Sequence, residues 1–325
     1  MGFVRRQFLQ LTGAATASAA LPKLAWALDY PTRPVRWIIG FPPGGGADIV
    51  ARIIAQWLSE RLGQQVIVEN KPGAGTNIAT QTVVNSPPDG YTLLWVGTSN
   101  AVNATLYENL PFNFLRDIAP VAGLVAYPLV MEVNSSAQAV TVAEFIAYAK
   151  ANPGKISVAS FGIGSSSHLA GELFKATTGV NLVHVPYRGG APMVSDLLGG
   201  HVQAAFDVVA NSLPHIRSGA LRALAVTTTT RLEVLTDVPT VGETVPSYEV
   251  VAWTGVGVPN GTPPAVIEKL NQEINAGLAN PRIKARLAEL TITPTVFTPA
   301  TFGAYLAAET EKWAKVIRAA NIKPE

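Results

Sequence analysis

One pattern occurs twice in this chain, about 120 residues apart: strand, Phe-led small-residue loop, helix stopped by glycine, strand, Gly/Pro loop. In the first copy, Val35–Ile39 reads as a buried strand and residues 41–47 as a Gly-rich loop. From Asp48 the apolar residues Ile49, Val50, Ile53, Ile54, Trp57, Leu58 and Leu62 recur with a period near 3.6, and Gly63 ends the helix. A strand over 66–68 leads into Asn70-Lys71-Pro72-Gly73-Ala74-Gly75, and another over 91–96 opens into Gly97-Thr98-Ser99-Asn100. In the second copy the strand is 156–160 and the loop is Phe161-Gly162-Ile163-Gly164-Ser165-Ser166-Ser167. Its helix carries Leu169, Leu173 and Phe174 and stops at Gly179; strand 182–185 then enters a loop over 186–192. Alternation of this kind specifies an α/β fold, and the repetition suggests two lobes built alike. Residue identity between the copies is slight, and strand–loop–helix units recur in any α/β protein, so coincidence stays open on the pattern alone.

A length of 325 residues exceeds what one compact core usually holds. The predicted boundaries are 28–127 plus 250–325 for a discontinuous first lobe and 128–249 for the second. Helical patterns over 266–279, 283–290 and 302–319 carry the chain back to the first lobe. Two crossings between lobes would form a hinge, and ligand sites favour such interfaces.

The N-terminus reads as an export signal. A twin arginine, Arg5-Arg6, precedes Phe8-Leu9; an Ala-rich stretch and Ala25-Trp26-Ala27 follow, fitting the small-x-small cleavage rule. Residues 1–27 are therefore assigned to a twin-arginine-type signal, and the exported chain, expected to be soluble and periplasmic, starts near Leu28. The segment holds Arg5, Arg6 and Lys23 and no acid, so removing it takes the net charge of +2 (24 basic, 22 acidic) to 2 − 3 = −1. That balance excludes a strong basic field for nucleic acid. The chain has no cysteine, which excludes disulfides, thiolate metal sites and a cysteine nucleophile. The longest uncharged apolar run after the signal, 118–131, is too short to span a bilayer and is broken by Pro120, Gly123 and Pro128.

Loops of this type bind anions. A helix start presents unpaired N–H groups at the positive end of its dipole, and glycines let a ligand approach the backbone. Phe41-Pro42-Pro43-Gly44-Gly45-Gly46-Ala47-Asp48 provides one such loop, in which Asp48 can cap the helix or accept from a ligand. Ser165, Ser166 and Ser167, with His168 in the first turn, provide another. Each terminus contributes about 0.3–1 kcal/mol, and each charge-assisted bond about 1.5–3 kcal/mol. Four or five bonds and two termini reach the roughly 8 kcal/mol of a micromolar complex after ordering costs. Neither loop has a partner lysine, so a carboxylate fits better than a phosphate. Thr98, Ser99 and Asn100 either face the cleft or cap the next helix. Asp207, after the strand-like 202–206, either takes a ligand donor or caps locally. Tyr187 could line the cleft, while Arg188 and Lys71 read as solvated charges and Trp253 as hinge packing.

Competing motifs are weak. G-x-x-x-x-G-K-[ST], G-x-G-x-x-G and G-x-S-x-G are all absent, so no cofactor is expected. The four histidines, His168, His184, His201 and His215, lack ligand spacing, so no metal site is expected. A periplasmic hydrolase built from Ser166, His184 and Asp207 is the alternative from another class, and a ligand-sensing lobe for a membrane kinase is a third.

Taken together, Arg33-Pro34-Val35, Phe41 through Asp48, Val68-Glu69-Asn70-Lys71-Pro72-Gly73-Ala74-Gly75 and Pro88-Asp89-Gly90-Tyr91 resemble the tripartite tricarboxylate transporter substrate-binding proteins, the Bug family. Ser167-His168-Leu169-Ala170-Gly171-Glu172, His184-Val185-Pro186-Tyr187-Arg188-Gly189, Leu221-Arg222-Ala223-Leu224-Ala225-Val226-Thr227 and Asp237-Val238-Pro239-Thr240 continue the likeness in the family's order. The resemblance implies a two-lobed periplasmic-binding-protein clamshell, each lobe a β-sheet flanked by helices. It would be a monomer that captures a small carboxylate (a di- or tricarboxylate or an aromatic acid) for tripartite tricarboxylate transporter membrane components. By motif it assigns ligand contacts to Pro43, Gly44, Gly45, Ala47, Asp48, Ser165, Ser166, Ser167 and His168, with Asp207 beside them. Phe206-Asp207-Val208 departs from the family's Phe-Asp-Asn.

Overall fold

A computed structural model describes residues 29–187 and 189–324; the export segment 1–27 and Arg188 lie outside the described residues. The strands are β1 (Val35–Ile39), β2 (Val66–Asn70), β3 (Thr92–Gly97), β4 (Ile118–Asn134), β5 (Ser157–Ser160), β6 (Val183–Pro186), β7 (Ala204–Val208), β8 (Leu221–Val226), β9 (Val251–Pro259) and β10 (Thr293–Pro294). The helices are α1 (Gly46–Leu62), α2 (Asn77–Val84), α3 (Thr98–Leu106), α4 (Phe114–Asp117), α5 (Val142–Ala151) and α6 (Ser166–Thr178). They continue with α7 (Gly190–Leu198), α8 (Val209–Arg217), α9 (Pro264–Ala279), α10 (Pro281–Glu289) and α11 (Pro299–Ala319).

The α/β expectation is met. Strands run in the order β2-β1-β3-β9-β4-β7-β5-β6, with β8 and β10 also pairing β4. The two sequence copies take equivalent places, because β2-β1-β3 and β6-β5-β7 are both parallel with the first strand of each copy in the middle. Strand β1 is buried on both sides (Val35, Trp37, Ile38 and Ile39 are fully buried), as a parallel strand between helix layers must be. Helix α1 buries Val50, Ala51, Ile54, Ala55 and Leu58 against it and ends at Gly63, whose φ of 70° closes the last turn. Ile49, counted in the apolar periodicity, is exposed at one edge of that face.

Strand β4 is the main surprise. Its prolines and glycine read as breaks, yet it runs unbroken for 17 residues. The irregularity is absorbed by register shifts against β9 at Pro120/Ala122 and Gly123/Val125. Pro128 is the last residue paired with β9, opposite Val251, and Leu129 is the first paired with β7, opposite Val208. A proline lacks the N–H that a continuous ladder needs, and this one falls where the partner strand changes. Of the late helices, α9 and α11 pack on β4, α9 also lies beside α1, and α11 lies against α3 and α6. Among the described residues, no helix is long and apolar enough to cross a membrane.

Candidate functional site

In open α/β sheets, ligands bind beyond the carboxyl ends of the parallel strands. Here the segments following β1, β2, β3 and β5 and the last residue of β7, Val208, all contribute to one cavity of about 390 Å³. Ala47 at the start of α1, Thr98 and Ser99 at the start of α3, and Ser165 and Ser166 at the start of α6 line it together. One strand-to-helix loop from each sequence copy therefore meets the other across a shared space. A larger depression, about 850 Å³, lies between the end of α3 and residues 317–324 and includes none of these loops.

The amides at these helix starts are free for a ligand by construction. In α1 the first intrahelical bond runs from the Ile49 N–H to the Gly45 carbonyl, 3.0 Å, which leaves the N–H groups of residues 46–48 without helical partners. In α6 the first runs from the Leu169 N–H to the Ser165 carbonyl, 3.0 Å; the Ser165 hydroxyl takes the His168 N–H, leaving those of Ser166 and Ser167.

Other predicted residues build the loops instead of lining the cavity. Asp48 does not cap α1; its carboxylate reaches back to the Gly44 N–H (3.0 Å) and also accepts from Arg52 (2.9 Å) and Asn70 (3.0 Å). The Arg52 guanidinium, with help from Gly44 and Asn70 and against the effect of burial, holds that carboxyl down to about 2. Pro43, Gly44 and Gly45 are exposed on the same turn, while Gly40, Phe41 and Pro42 reach the cavity. Gly40 has no room for a side chain, since a Cβ there would sit 2.5 Å from the Cβ of Thr76.

Asn100 is buried, accepting from the Gly97 N–H (2.9 Å) and donating to the Thr80 hydroxyl (2.8 Å), so it resolves as a cap and not a cavity residue. Ser167 is buried and its hydroxyl donates to the Phe206 carbonyl. His168 stacks on His184 with ring centroids 3.9 Å apart, and its Nδ1 accepts the Gly164 N–H at 3.2 Å. Burial, with His184 and Lys175 nearby, pushes His168 down to about 3; burial and Lys175 push His184 to about 4. Both rings are neutral at neutral pH and support the serine loop from beneath. The Tyr187 hydroxyl donates to Asp196 at 2.6 Å.

Asp207 is fully buried, accepting from the Val208 N–H, Asn211 and Ser212. Desolvation raises its carboxyl to about 6. The hydrolase constellation is not assembled: the serine facing His184 is Ser160, at 2.7 Å, and Asp207 is bonded elsewhere.

Sequence reasoning missed the cavity's apolar wall. Trp95 and Tyr127 come from strands, Phe161 and Ile163 from the serine loop, Val208 from the end of β7, and Trp253 from β9. Trp253, read as hinge packing, does pack on Phe302 and Tyr305, and its Nε1 donates to Glu309 at 2.8 Å, but it also borders the cavity. The available signal was positional, since most of these residues lie at carboxyl ends of strands or next to the crossing.

A fold of this kind, with two like sets of parallel strands ending at one cavity, is that of the periplasmic binding proteins. Residues 50–322 match the family described as tripartite tricarboxylate transporter family receptor, and the chain belongs to that family. It is similar to the protein BugT of Bordetella pertussis, 38% identical over 320 residues and 98% of each chain. A solved Rhodopseudomonas palustris structure, Rpa4515 with adipate, is 36% identical with a TM-score of 0.81, covering 91% of this chain and all of that one. MatC from the same organism, solved with bound malate, is 29% identical with a TM-score of 0.78, covering 89% of this chain and all of that one.

Proposed function

We propose that this protein is an exported binding protein that closes around a small carboxylate and passes it to the membrane components of a tripartite tricarboxylate-type transporter. The observation that carries this reading is the shared cavity: Ala47 from one sequence copy and Ser165 and Ser166 from the other line the same space. Two helix starts directed at one anion supply amide donors and partial positive charge without a cationic side chain. The dicarboxylates held by the adipate and malate structures support the same ligand class.

Closure would occur between residues 28–127 with 250–325 on one side and 128–249 on the other. The supporting feature is the change of strand partner at Pro128 and Leu129, opposite the start of β9 at Val251. Bringing the loops together expels water and strengthens each amide contact. Export by the twin-arginine route rests on Arg5-Arg6 and the stretch that follows.

A thermal-shift screen of mono-, di- and tricarboxylates and aromatic acids tests the binding reading, because a ligand that binds only the folded state raises the melting temperature. At least one carboxylate is expected to raise it in proportion to the logarithm of its concentration. A flat response across the panel contradicts the reading. For the route, Arg5→Lys/Arg6→Lys is expected to leave the protein in the cytoplasm of a host that has the twin-arginine pathway; undiminished export of that variant contradicts it.

A further inference from the structure

Three polar atoms are set into the walls of the cavity with nothing to bond. Thr76 Oγ1, Trp95 Nε1 and Tyr127 Oη are buried without a hydrogen-bond partner among the described residues, and all three residues line the cavity. Other hydroxyls of the lining are already used. Ser165 donates to the Gly162 carbonyl (2.6 Å), Thr98 accepts the Trp253 N–H (3.3 Å) and Thr254 donates to the Val125 carbonyl (3.4 Å). A buried polar atom left unpaired carries its full desolvation cost, so each such atom in a native fold calls for a reason.

Thr76 is the most costly of the three. It closes a left-handed turn after Ala74 (φ 46°) and Gly75 (φ 60°) and itself has φ 81°, which glycine adopts freely and a β-branched residue strongly disfavours. The turn is held from several sides. The Thr76 N–H donates to the Gly73 carbonyl (3.0 Å), its carbonyl accepts from the Thr80 hydroxyl (3.1 Å), and Asn103 donates to the Gly75 carbonyl and to Asn77. Strained residues persist only where their surroundings over-determine them, and they cluster at ligand sites. The Cα, Cβ and methyl of Thr76 are the atoms that face Gly40, so packing employs those and leaves the hydroxyl over.

We propose that Thr76 determines specificity: its hydroxyl, with the Trp95 indole N–H and the Tyr127 hydroxyl, receives an oxygen of the ligand other than those of the carboxylate at the helix starts. This step rests on the carboxylate-binding reading above. The indole can only donate and the two hydroxyls can rotate to donate, so the set suits an acceptor oxygen on a second carboxylate, a carbonyl or a hydroxyl. An alkyl end in that place leaves all three unpaired, and sites built to hydrogen-bond a ligand oxygen reject analogues that lack it.

Calorimetry on the exported chain, unfolded and refolded to strip any carried ligand, tests this with two pairs of acids of equal chain length, adipate against hexanoate and malate against butyrate. In at least one pair the diacid is expected to bind about tenfold or more tightly than its monoacid. Thr76→Val keeps the branched shape and removes only the hydroxyl. It is expected to weaken that diacid about tenfold, to leave its monoacid unchanged, and to leave the ligand-free melting temperature unchanged or raised. Thr76→Ser, which keeps the hydroxyl, is expected to retain the preference. A Thr76→Val protein that loses affinity equally for both members of the pair, or for neither, overturns the assignment. Hexanoate and butyrate matching adipate and malate on the unaltered protein overturns it too, and each of these results leaves carboxylate binding standing. Failure of all four acids to bind overturns both.

Discussion

Glu132 and Asp207 lie on adjacent strands, and the Ser212 hydroxyl stands between them, 2.8 Å from a carboxyl oxygen of the first and 3.1 Å from one of the second. One hydroxyl proton cannot serve two carboxylates, so one acid must carry a proton of its own. Glu132 is the better candidate: it is fully buried and its second oxygen has no partner, whereas Asp207 receives three donors. Burial, with Asp207 adjacent, raises the Glu132 carboxyl well above its ordinary range, so a protonated Glu132 donates to Ser212, which donates to Asp207.

A carboxyl raised in the folded state favours the fold most below its unfolded pKa, and that contribution is lost as pH rises through the folded value. For Asp207 the window runs from 3.8 up to about 6, and for Glu132 it extends upward from 4.5. The expected loss from Asp207 alone is about 3 kcal/mol. Glu132→Gln is neutral at every pH and is expected to flatten the fall in stability above pH 5 while leaving the Asp207 part. Denaturant melts from pH 4 to 8 check this; parallel curves for the two proteins would contradict it.

Gly45→Asp should separate binding from folding. Gly45 has φ −80°, and a Cβ there meets only the Pro42 carbonyl oxygen, at 3.8 Å, so the side chain fits. An aspartate at the helix N-cap accepts the N–H groups just inside the helix, and replacing glycine with it changes helix stability by only a few tenths of a kcal/mol. Those amides are the ones assigned to the ligand, and the new charge repels a carboxylate. Binding is expected to fall at least a hundredfold, about 2.8 kcal/mol, with the melting temperature unchanged. Calorimetry paired with a thermal melt reads both quantities.

Gly255→Ala should do the reverse and damage the fold. A Cβ on Gly255 would lie 2.6 Å from the Ala122 carbonyl oxygen and overlap the Phe302 ring, where β9, β4 and α11 meet. Overpacking of this kind costs about 1–3 kcal/mol, more where backbone must move. A lower denaturation midpoint with an unchanged slope is the expected result.

These cases show what the sequence could and could not reveal. Helices α1 and α6 were legible because an apolar period of 3.6 ended at Gly63 and Gly179, both left-handed in the structure. Strand β4 was not, because Pro120, Gly123 and Pro128 are ordinary breakers and only tertiary pairing shows that bulges and a change of partner absorb them. Within the loops the positions were clear but side-chain direction was not. Asn100, Ser167, His168 and Asp207 bear binding chemistry, yet each is spent on a neighbouring amide, carbonyl or side chain. The cavity's apolar wall comes partly from separate strands, as Trp95, Tyr127 and Trp253 show, and no local pattern unites those residues.

The central claim is that loops from both halves of the protein grip one carboxylate. Amide NMR during titration with the tightest-binding acid tests it most directly, following Ala47 from one loop and Ser166 from the other. Both resonances are expected to shift along curves that give a single dissociation constant. Movement of one amide while the other stays still at saturation would contradict the claim.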